Sequence, residues 1–89
     1  MIEKEVVVIN KLGLHARAAA KLVSLASTFD SNVTVQKDGR EVNGKSIMGV
    51  MMLAASQNTT ITFFVDGTDE ADAILGLEAL VKNRFGEDK

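Results

Sequence analysis

Cysteine is absent from this sequence of 89 residues, and histidine occurs only once, at position 15. Without cysteine the chain can form no disulfide, no thiolate nucleophile and no cysteine-ligated metal site. A single imidazole also argues against a histidine-based metal centre. We therefore expect no metal ion and no cofactor, and the cytoplasm is a compartment that suits such a chain.

Aromatic residues, excess positive charge and long apolar runs are also scarce. The only aromatic residues are four phenylalanines, and ten Lys and Arg residues stand against twelve Asp and Glu residues, for a formal net charge of −2. Such a chain offers neither a basic surface for a nucleic-acid backbone nor aromatic strands that stack bases. The apolar run at residues 6–9 is too short for a signal peptide or a membrane span. We expect no nucleic-acid partner and no membrane partner.

The residues that are present fit one small folded domain over residues 1–89. Apolar residues make up 46% of the chain and charged residues 25%, a balance typical of globular proteins. A domain of this size buries only about 60% of the surface of its unfolded chain. A large catalytic cleft is therefore not expected.

The hydrophobic pattern predicts alternating strands and helices. Short β-branched or alternating segments predict strands at residues 5–9, 33–35, 40–42 and 61–65, and the dipeptide Asp38-Gly39 predicts a hairpin between the second and third. Apolar residues at helical spacing predict helices after Gly13, over residues 47–55 and from Thr68 to about Gly86. The order β-α-β-β-α-β-α predicts an α+β two-layer sandwich, with the helices on one face of a mainly antiparallel sheet. Residues 87–89 have the composition of a frayed polar end.

His15 stands between the turn residue Gly13 and the start of the first predicted helix, and Arg17 follows two residues later. The first turn of a helix has unpaired amides and positive potential, so the backbone of Ala16, Arg17 and Ala18 is suited to a phosphate. The Arg17 guanidinium adds a planar donor for the same oxygens. Because an imidazole can act as a covalent nucleophile, the pattern is typical of a phosphoryl acceptor. The same spacing also fits a solvent-exposed N-cap histidine without chemistry, and periodicity does not separate the two interpretations.

Residues 39–46 match the nucleotide-binding pattern G-x-x-x-x-G-K-S, and residues 61–66 imitate the apolar strand with a final Asp that would hold Mg²⁺. That loop has to follow a buried parallel strand, which needs a long crossover connection. Asp38-Gly39 instead lies between two alternating segments, and 89 residues with four strands hold too few crossover units. We therefore do not expect a nucleotide site.

Two segments resemble those of a known family. Gly-Leu-His-Ala-Arg-Ala-Ala at residues 13–19 is similar to the active-site stretch of the HPr family of phosphotransferase-system carriers, and Gly-Lys-Ser-Ile-Met-Gly-Val-Met at residues 44–51 is similar to its second signature. The likeness spans nearly the whole chain. It implies an open-faced sandwich with sheet order 1-4-2-3, phosphorylation of His15 on Nδ1 and stabilisation of the phosphoryl group by Arg17. One position departs, because many members have proline where this chain has Ala18.

The resemblance also implies partners. A carrier of this kind takes its phosphoryl group from an enzyme I-type donor and passes it to an enzyme IIA-type acceptor, and it is not itself an enzyme that turns over. We expect it to act as a monomer. Ser46 has the position of a helix N-cap, and in similar carriers this serine is the target of a dedicated kinase and phosphorylase. The segments resemble both the sugar branch and the nitrogen-related branch of the family, and the choice between them stays open.

The second predicted helix is apolar on more than one side, so some of its methionines must face water. Methionine adapts to varied partners, although each Met alone also fits a gap in a core. A regulatory binding module that acts through this helix, with His15 as a passive cap, is therefore the alternative function. The predicted partner surface comprises Leu14, Ala20, Ile47, Met48, Met51 and Met52.

Overall fold

A computed structural model describes residues 1–89 and contains four strands and three helices. The strands form one antiparallel sheet in the order β1-β4-β2-β3, which confirms the α+β sandwich and the implied strand order. No helix combines the length and the hydropathy that a bilayer crossing requires. In chain order the elements are β1 (Ile2–Val7), α1 (Ala16–Ala26), β2 (Asn32–Lys37), β3 (Arg40–Asn43), α2 (Ile47–Met52), β4 (Thr60–Asp66), α3 (Glu70–Lys82) and a 3₁₀ turn (Arg84–Gly86).

The hydrophobic core lies between the sheet and the helices. Strand β4 is central, and its alternate residues Ile61, Phe63 and Val65 are fully buried, because side chains on a strand point in turn to its two faces. Helices α1 and α3 cover this face with the apolar stripes that their residue spacing predicts. The buried helical residues are Ala18, Ala19, Leu22, Val23 and Ala26 in α1 and Ala73, Ile74, Leu77 and Val81 in α3.

The β2–β3 hairpin turns at Asp38 and Gly39, which have φ angles of 51° and 81°. The two strands pair up to the residues on either side of this dipeptide, so the connection is the two-residue turn that the sequence predicts. This geometry excludes the nucleotide-binding interpretation of residues 39–46. The chain after Gly39 continues as the antiparallel strand β3. The Gly44 amide donates to the Val33 carbonyl at 2.7 Å, so it is not available to bind a phosphate.

Strand β1 and helix α2 have boundaries that differ from the sequence prediction. Strand β1 begins at Ile2 and ends at Val7, because its charged residues pair with β4 along the edge of the sheet. Helix α2 ends at Met52 rather than at residue 55, because Ala54 adopts a φ of 51° that is incompatible with a continuing helix. Both differences arise from pairing and turn geometry that a hydrophobic pattern does not report.

Helix α3 is shorter than predicted at both ends. It begins at Glu70 rather than at Thr68 and ends at Lys82 rather than near Gly86. The following 3₁₀ turn does not continue the helix, because Arg84 and Phe85 within it have φ angles of 55° and 54°. The chain after α3 is thereby directed towards α1, which the 3₁₀ turn contacts.

Asp69, just before α3, ties that helix to the segment between α1 and β2. Its carboxylate accepts hydrogen bonds from the backbone amides of Asp30 at 2.8 Å and Ser31 at 2.9 Å, and also from the Ser31 hydroxyl. The Ser31 hydroxyl, together with the Asp30 amide, holds the pKa of Asp69 below its ordinary value. Because Asp69 does not cap its own helix, its contribution is a tertiary one.

We expect Asp69→Asn to lower the melting temperature at neutral pH by several degrees, because a neutral amide accepts these hydrogen bonds less well than a carboxylate. A carboxyl group whose folded-state pKa is lowered stabilises the fold above its unfolded pKa of about 3.9, and this effect is lost as the pH falls through the folded-state pKa. Thermal unfolding at decreasing pH should therefore show the difference from the wild type vanish in acid. Asp72→Asn, in the exposed first turn of α3, is the control; an equal loss in both variants would contradict the assigned role.

Candidate functional site

The connection from β1 to α1 passes close to another segment at Gly13. This glycine has a φ of +66°, and a Cβ there would lie only 2.3 Å from the carbonyl oxygen of Ala55. The amide of Leu14 donates to the same oxygen at 2.8 Å. Because only glycine combines this φ with so close an approach, Gly13 sets the position from which α1 begins.

His15 is the N-cap residue of α1, with a φ of −72° and a ψ of 179°. The first helical hydrogen bond joins the Ala19 amide to the His15 carbonyl at 2.8 Å, so the amides of Ala16, Arg17 and Ala18 precede the hydrogen-bonded part of the helix. The imidazole makes no capping hydrogen bond and is 28% exposed. The structure therefore brings the predicted nucleophile and the predicted phosphate-binding backbone together at one helix end.

The imidazole of His15 contacts Glu87, a residue that the sequence predicted to lie in a frayed end. One carboxylate oxygen of Glu87 is the hydrogen-bond partner of His15 Nε2, and the other accepts from the buried side-chain amide of Asn10 at 2.9 Å. The hydrogen bond from Asn10, supported by the side chains of His15 and Arg17, holds the pKa of Glu87 below its ordinary value. The prediction of fraying is wrong here, because Glu87 contacts a loop 72 residues earlier in the chain and is only 13% exposed.

The segment 84–89 is held against α1 and the β1–α1 connection by further contacts. Phe85 is fully buried, and its carbonyl oxygen accepts from Lys21 Nζ at 2.6 Å. The Lys11 amide donates to the Lys89 carbonyl at 3.1 Å. The one signal for this arrangement in the sequence is Phe85 itself, an apolar residue in a polar stretch, which indicates burial but not the place of burial.

An open cleft lies beside the contact between His15 and Glu87. Four of its lining side chains are basic and two are acidic, so the cleft favours an anion. Arg17 is exposed there and lines the cleft. The lining residues are Lys11, Leu12, Arg17, Lys21, Gly86, Glu87, Asp88 and Lys89.

Helix α2 presents an apolar surface to solvent, as its composition predicts. We refer to its exposed residues as the α2 patch: Ile47 is 43% exposed, Met48 75%, Met51 41% and Met52 56%. Helix α2 packs against α1, and the hydrogen bond of Leu14 to Ala55 joins the His15 connection to the segment just after α2. The α2 patch and the His15 end of α1 are thereby held together in the fold.

The predicted partner surface needs one correction near His15. Leu14 is only 4% exposed and packs in the core, whereas Leu12, on the other side of the Gly13 turn, is 66% exposed. Ala20 is half-buried on α1. The apolar side chain that a partner could contact beside His15 is therefore Leu12 and not Leu14, because the turn at Gly13 directs only the later leucine inwards.

Ser46 lies at the N-cap of α2, as predicted. Its hydroxyl oxygen accepts a hydrogen bond from the Gly49 amide at 3.1 Å. The residue is half-buried and directly precedes the α2 patch. A group attached to this oxygen would replace the capping contact and would lie at the border of the patch.

Known proteins share both the sequence and the fold of this chain. A family model described as "PTS HPr component phosphorylation site" matches residues 2–83. The phosphocarrier protein HPr of Xylella fastidiosa (strain 9a5c) is 60% identical over 88 residues, which cover 99% of both chains. The crystal structure of HPr-C-His from Thermoanaerobacter tengcongensis matches all of this chain and all of its own with a TM-score of 0.96 and 45% identity. The crystal structure of an HPr dimer from the same organism has a TM-score of 0.79 and 46% identity, and the match covers 98% of this chain and 100% of that one.

Proposed function

This chain belongs to the HPr family of phosphocarrier proteins of the phosphotransferase system, and we propose that His15 is the residue that carries the phosphoryl group. One observation supports this most strongly: the only imidazole of the chain lies at the start of α1, beside three amides that precede the first helical hydrogen bond. A phosphoryl group on this imidazole would lie at the positive end of the helix. The exposed guanidinium of Arg17 adds a charged donor for its oxygens.

Such a transfer depends more on positioning and charge stabilisation than on covalent chemistry by the carrier. The imidazole attacks phosphorus while the leaving group of the donor departs with its electron pair. The amides of Ala16, Arg17 and Ala18 and the Arg17 side chain offset the charge on the phosphoryl oxygens. An acceptor then attacks the same phosphorus and restores the free imidazole, so the protein is a carrier between two partners and not an enzyme with turnover of its own.

We propose an enzyme I-type protein as the donor and an enzyme IIA-type protein as the acceptor. Both would dock on the α2 patch together with Leu12, because these exposed apolar side chains flank the His15 end of α1. Methionine side chains can repack against differently shaped partners, which suits a surface that serves two proteins in turn. A monomer in the cytoplasm meets this requirement, since each partner needs access to the same face.

We expect His15→Ala to remain folded and to gain no acid-labile phosphate when it is incubated with phosphoenolpyruvate and an enzyme I-type donor. Arg17→Ala should still be phosphorylated, but roughly 100-fold more slowly, because it loses one charged donor and keeps the nucleophile. Circular dichroism checks the fold, and acid lability separates phosphohistidine from phosphoserine. Substantial acid-labile labelling of His15→Ala would refute the site and would favour a binding module in which His15 is passive.

We expect Met48→Glu to raise the Michaelis constant for this carrier with its donor about tenfold, because the new charge must lose its hydration without gaining a partner. The rate at saturating carrier should change little. Leu75→Glu is the matched control, since Leu75 is 64% exposed on α3, outside the α2 patch. Equal effects of the two substitutions would show that the α2 patch is not the docking surface.

We also propose that Ser46 is a regulatory phosphorylation site, served by a serine kinase and phosphorylase where the host has them. Its hydroxyl lies at the start of α2, where an added negative charge faces free amides, and it borders the α2 patch. The charge would therefore act on docking and would leave the fold intact. An apolar partner surface would be penalised by desolvation, and an acidic one by repulsion.

We expect Ser46→Asp to melt at or slightly above the wild-type temperature and to show a raised Michaelis constant with the donor. Part of the increase should disappear as salt is added, because exposed charges are screened over about 10 Å at 0.1 M. Ser46→Ala separates the two roles: it should lose about 1 kcal/mol of stability with the cap and keep its kinetics. Unchanged kinetics of Ser46→Asp at low salt would leave Ser46 as a cap alone.

A further inference from the structure

The contact between Glu87 and His15 is the one polar interaction of the imidazole in this structure. It involves Nε2, the ring nitrogen that is not the predicted phosphorylation position. The second oxygen of the carboxylate is occupied by Asn10, which also donates to the Gly13 carbonyl at 2.8 Å. The imidazole is therefore linked through Glu87 and Asn10 to the turn that places α1.

We propose that Glu87 is a positioning residue that keeps the proton of His15 on Nε2 and leaves the lone pair of Nδ1 free to attack phosphorus. This proposal rests on the proposed function of His15. An ionised carboxylate can only accept hydrogen bonds, so the nitrogen that faces it must be the one that carries a proton. A neutral imidazole has one protonated nitrogen, and the other is then necessarily the nucleophile.

The state of Glu87 supports this assignment. The hydrogen bond from Asn10 keeps the pKa of Glu87 below its ordinary value, so the group is ionised at neutral pH. Asn10 uses both hydrogens of its amide, on Gly13 and on Glu87, although this orientation leaves its own buried oxygen Oδ1 without a partner. The opposite amide orientation would place Oδ1 against two acceptors, so the donors of Asn10 must face the carboxylate.

Contacts of the residues that precede and follow Glu87 in the sequence hold it in place. On one side Phe85 is buried in the core and its carbonyl accepts from Lys21. On the other side the Lys89 carbonyl accepts from the Lys11 amide, within the same connection that contains Asn10. A carboxylate held in this way can orient the ring through all steps of a reaction cycle.

The proton arrangement fits both directions of transfer. In phosphorylation the Nδ1 lone pair forms the N–P bond while the bond from phosphorus to the leaving group of the donor breaks, and that group keeps the electron pair. No proton has to leave His15, because Nε2 already carries it. The ring becomes positively charged, and the adjacent Glu87 carboxylate offsets this charge. When the acceptor attacks phosphorus, the N–P electron pair returns to Nδ1 and Nε2 keeps its proton.

The test is a measurement of the imidazole tautomer by long-range ¹H–¹⁵N NMR on the full chain, at a pH where the ring carries one proton. Since His15 is the only histidine, its signals need no further assignment. We expect the wild type to be protonated on Nε2, and Glu87→Gln to show a clear rise in the form protonated on Nδ1, because the amide of Gln can also donate. Glu87→Ala is a second variant that removes every contact. Asp72→Asn is the control, because it removes the same charge from an exposed residue in the first turn of α3, outside the cleft beside His15.

Phosphorylation kinetics give the second readout. Glu87→Gln should lower the rate at saturating carrier roughly tenfold with little change in the Michaelis constant, and Asp72→Asn should leave both unchanged. A wild-type ring protonated on Nδ1, or a tautomer and a rate that are unchanged in both Glu87 variants, would overturn the proposal. Failure of the proposed function is distinct from this, because His15 would then take no phosphate in any variant, whatever its tautomer.

Discussion

The burial of one face of β4 is the constraint on which the rest of the structure depends. This strand pairs with β1 on one side and with β2 on the other, and Ile61, Phe63 and Val65 have no exposed surface. A slip of one residue in either pairing would turn these side chains away from the core, so the register is strongly specified. Once it is set, the ends of β1 and β2 are fixed, and α1 and α3 must cover the same face.

The functional site follows from this arrangement and not from a pocket of its own. The chain leaves β1 at the edge of the sheet and reaches α1 by passing against the backbone of Ala55, which only Gly13 allows. After α3 the chain returns over α1, and the burial of Phe85 brings Glu87 to the imidazole. The β1–α1 connection and the segment 84–89 therefore meet at His15, although neither of them belongs to the sheet.

A phosphoryl carrier has to stabilise its phosphoryl group and still leave the phosphorus accessible to an acceptor. In the proposed site, backbone amides at a helix end and one exposed arginine would stabilise charge without enclosing the phosphate, so an acceptor could still approach phosphorus. Glu87 contacts the other nitrogen of the ring, Nε2, and in the proposed role it would add no bond to the phosphoryl group itself. The α2 patch lies on another helix, so under this proposal recognition of partners would be separate from the chemistry at His15.

The amino-acid sequence by itself determined the features that depend on neighbours along the chain. The alternation of Ile61, Phe63 and Val65, the Asp38-Gly39 turn, the Ser46 cap and the place of His15 at a helix start are interactions within a few residues, and their patterns are visible in the sequence. The likeness to a family added the strand order. Only the tertiary structure decided which of the leucines around Gly13 is exposed, that Asp69 binds the α1–β2 segment, and that Glu87 contacts His15. The physical reason is that side chains 38 or 72 residues apart meet only after the sheet and its helices have packed, and no local periodicity records that meeting.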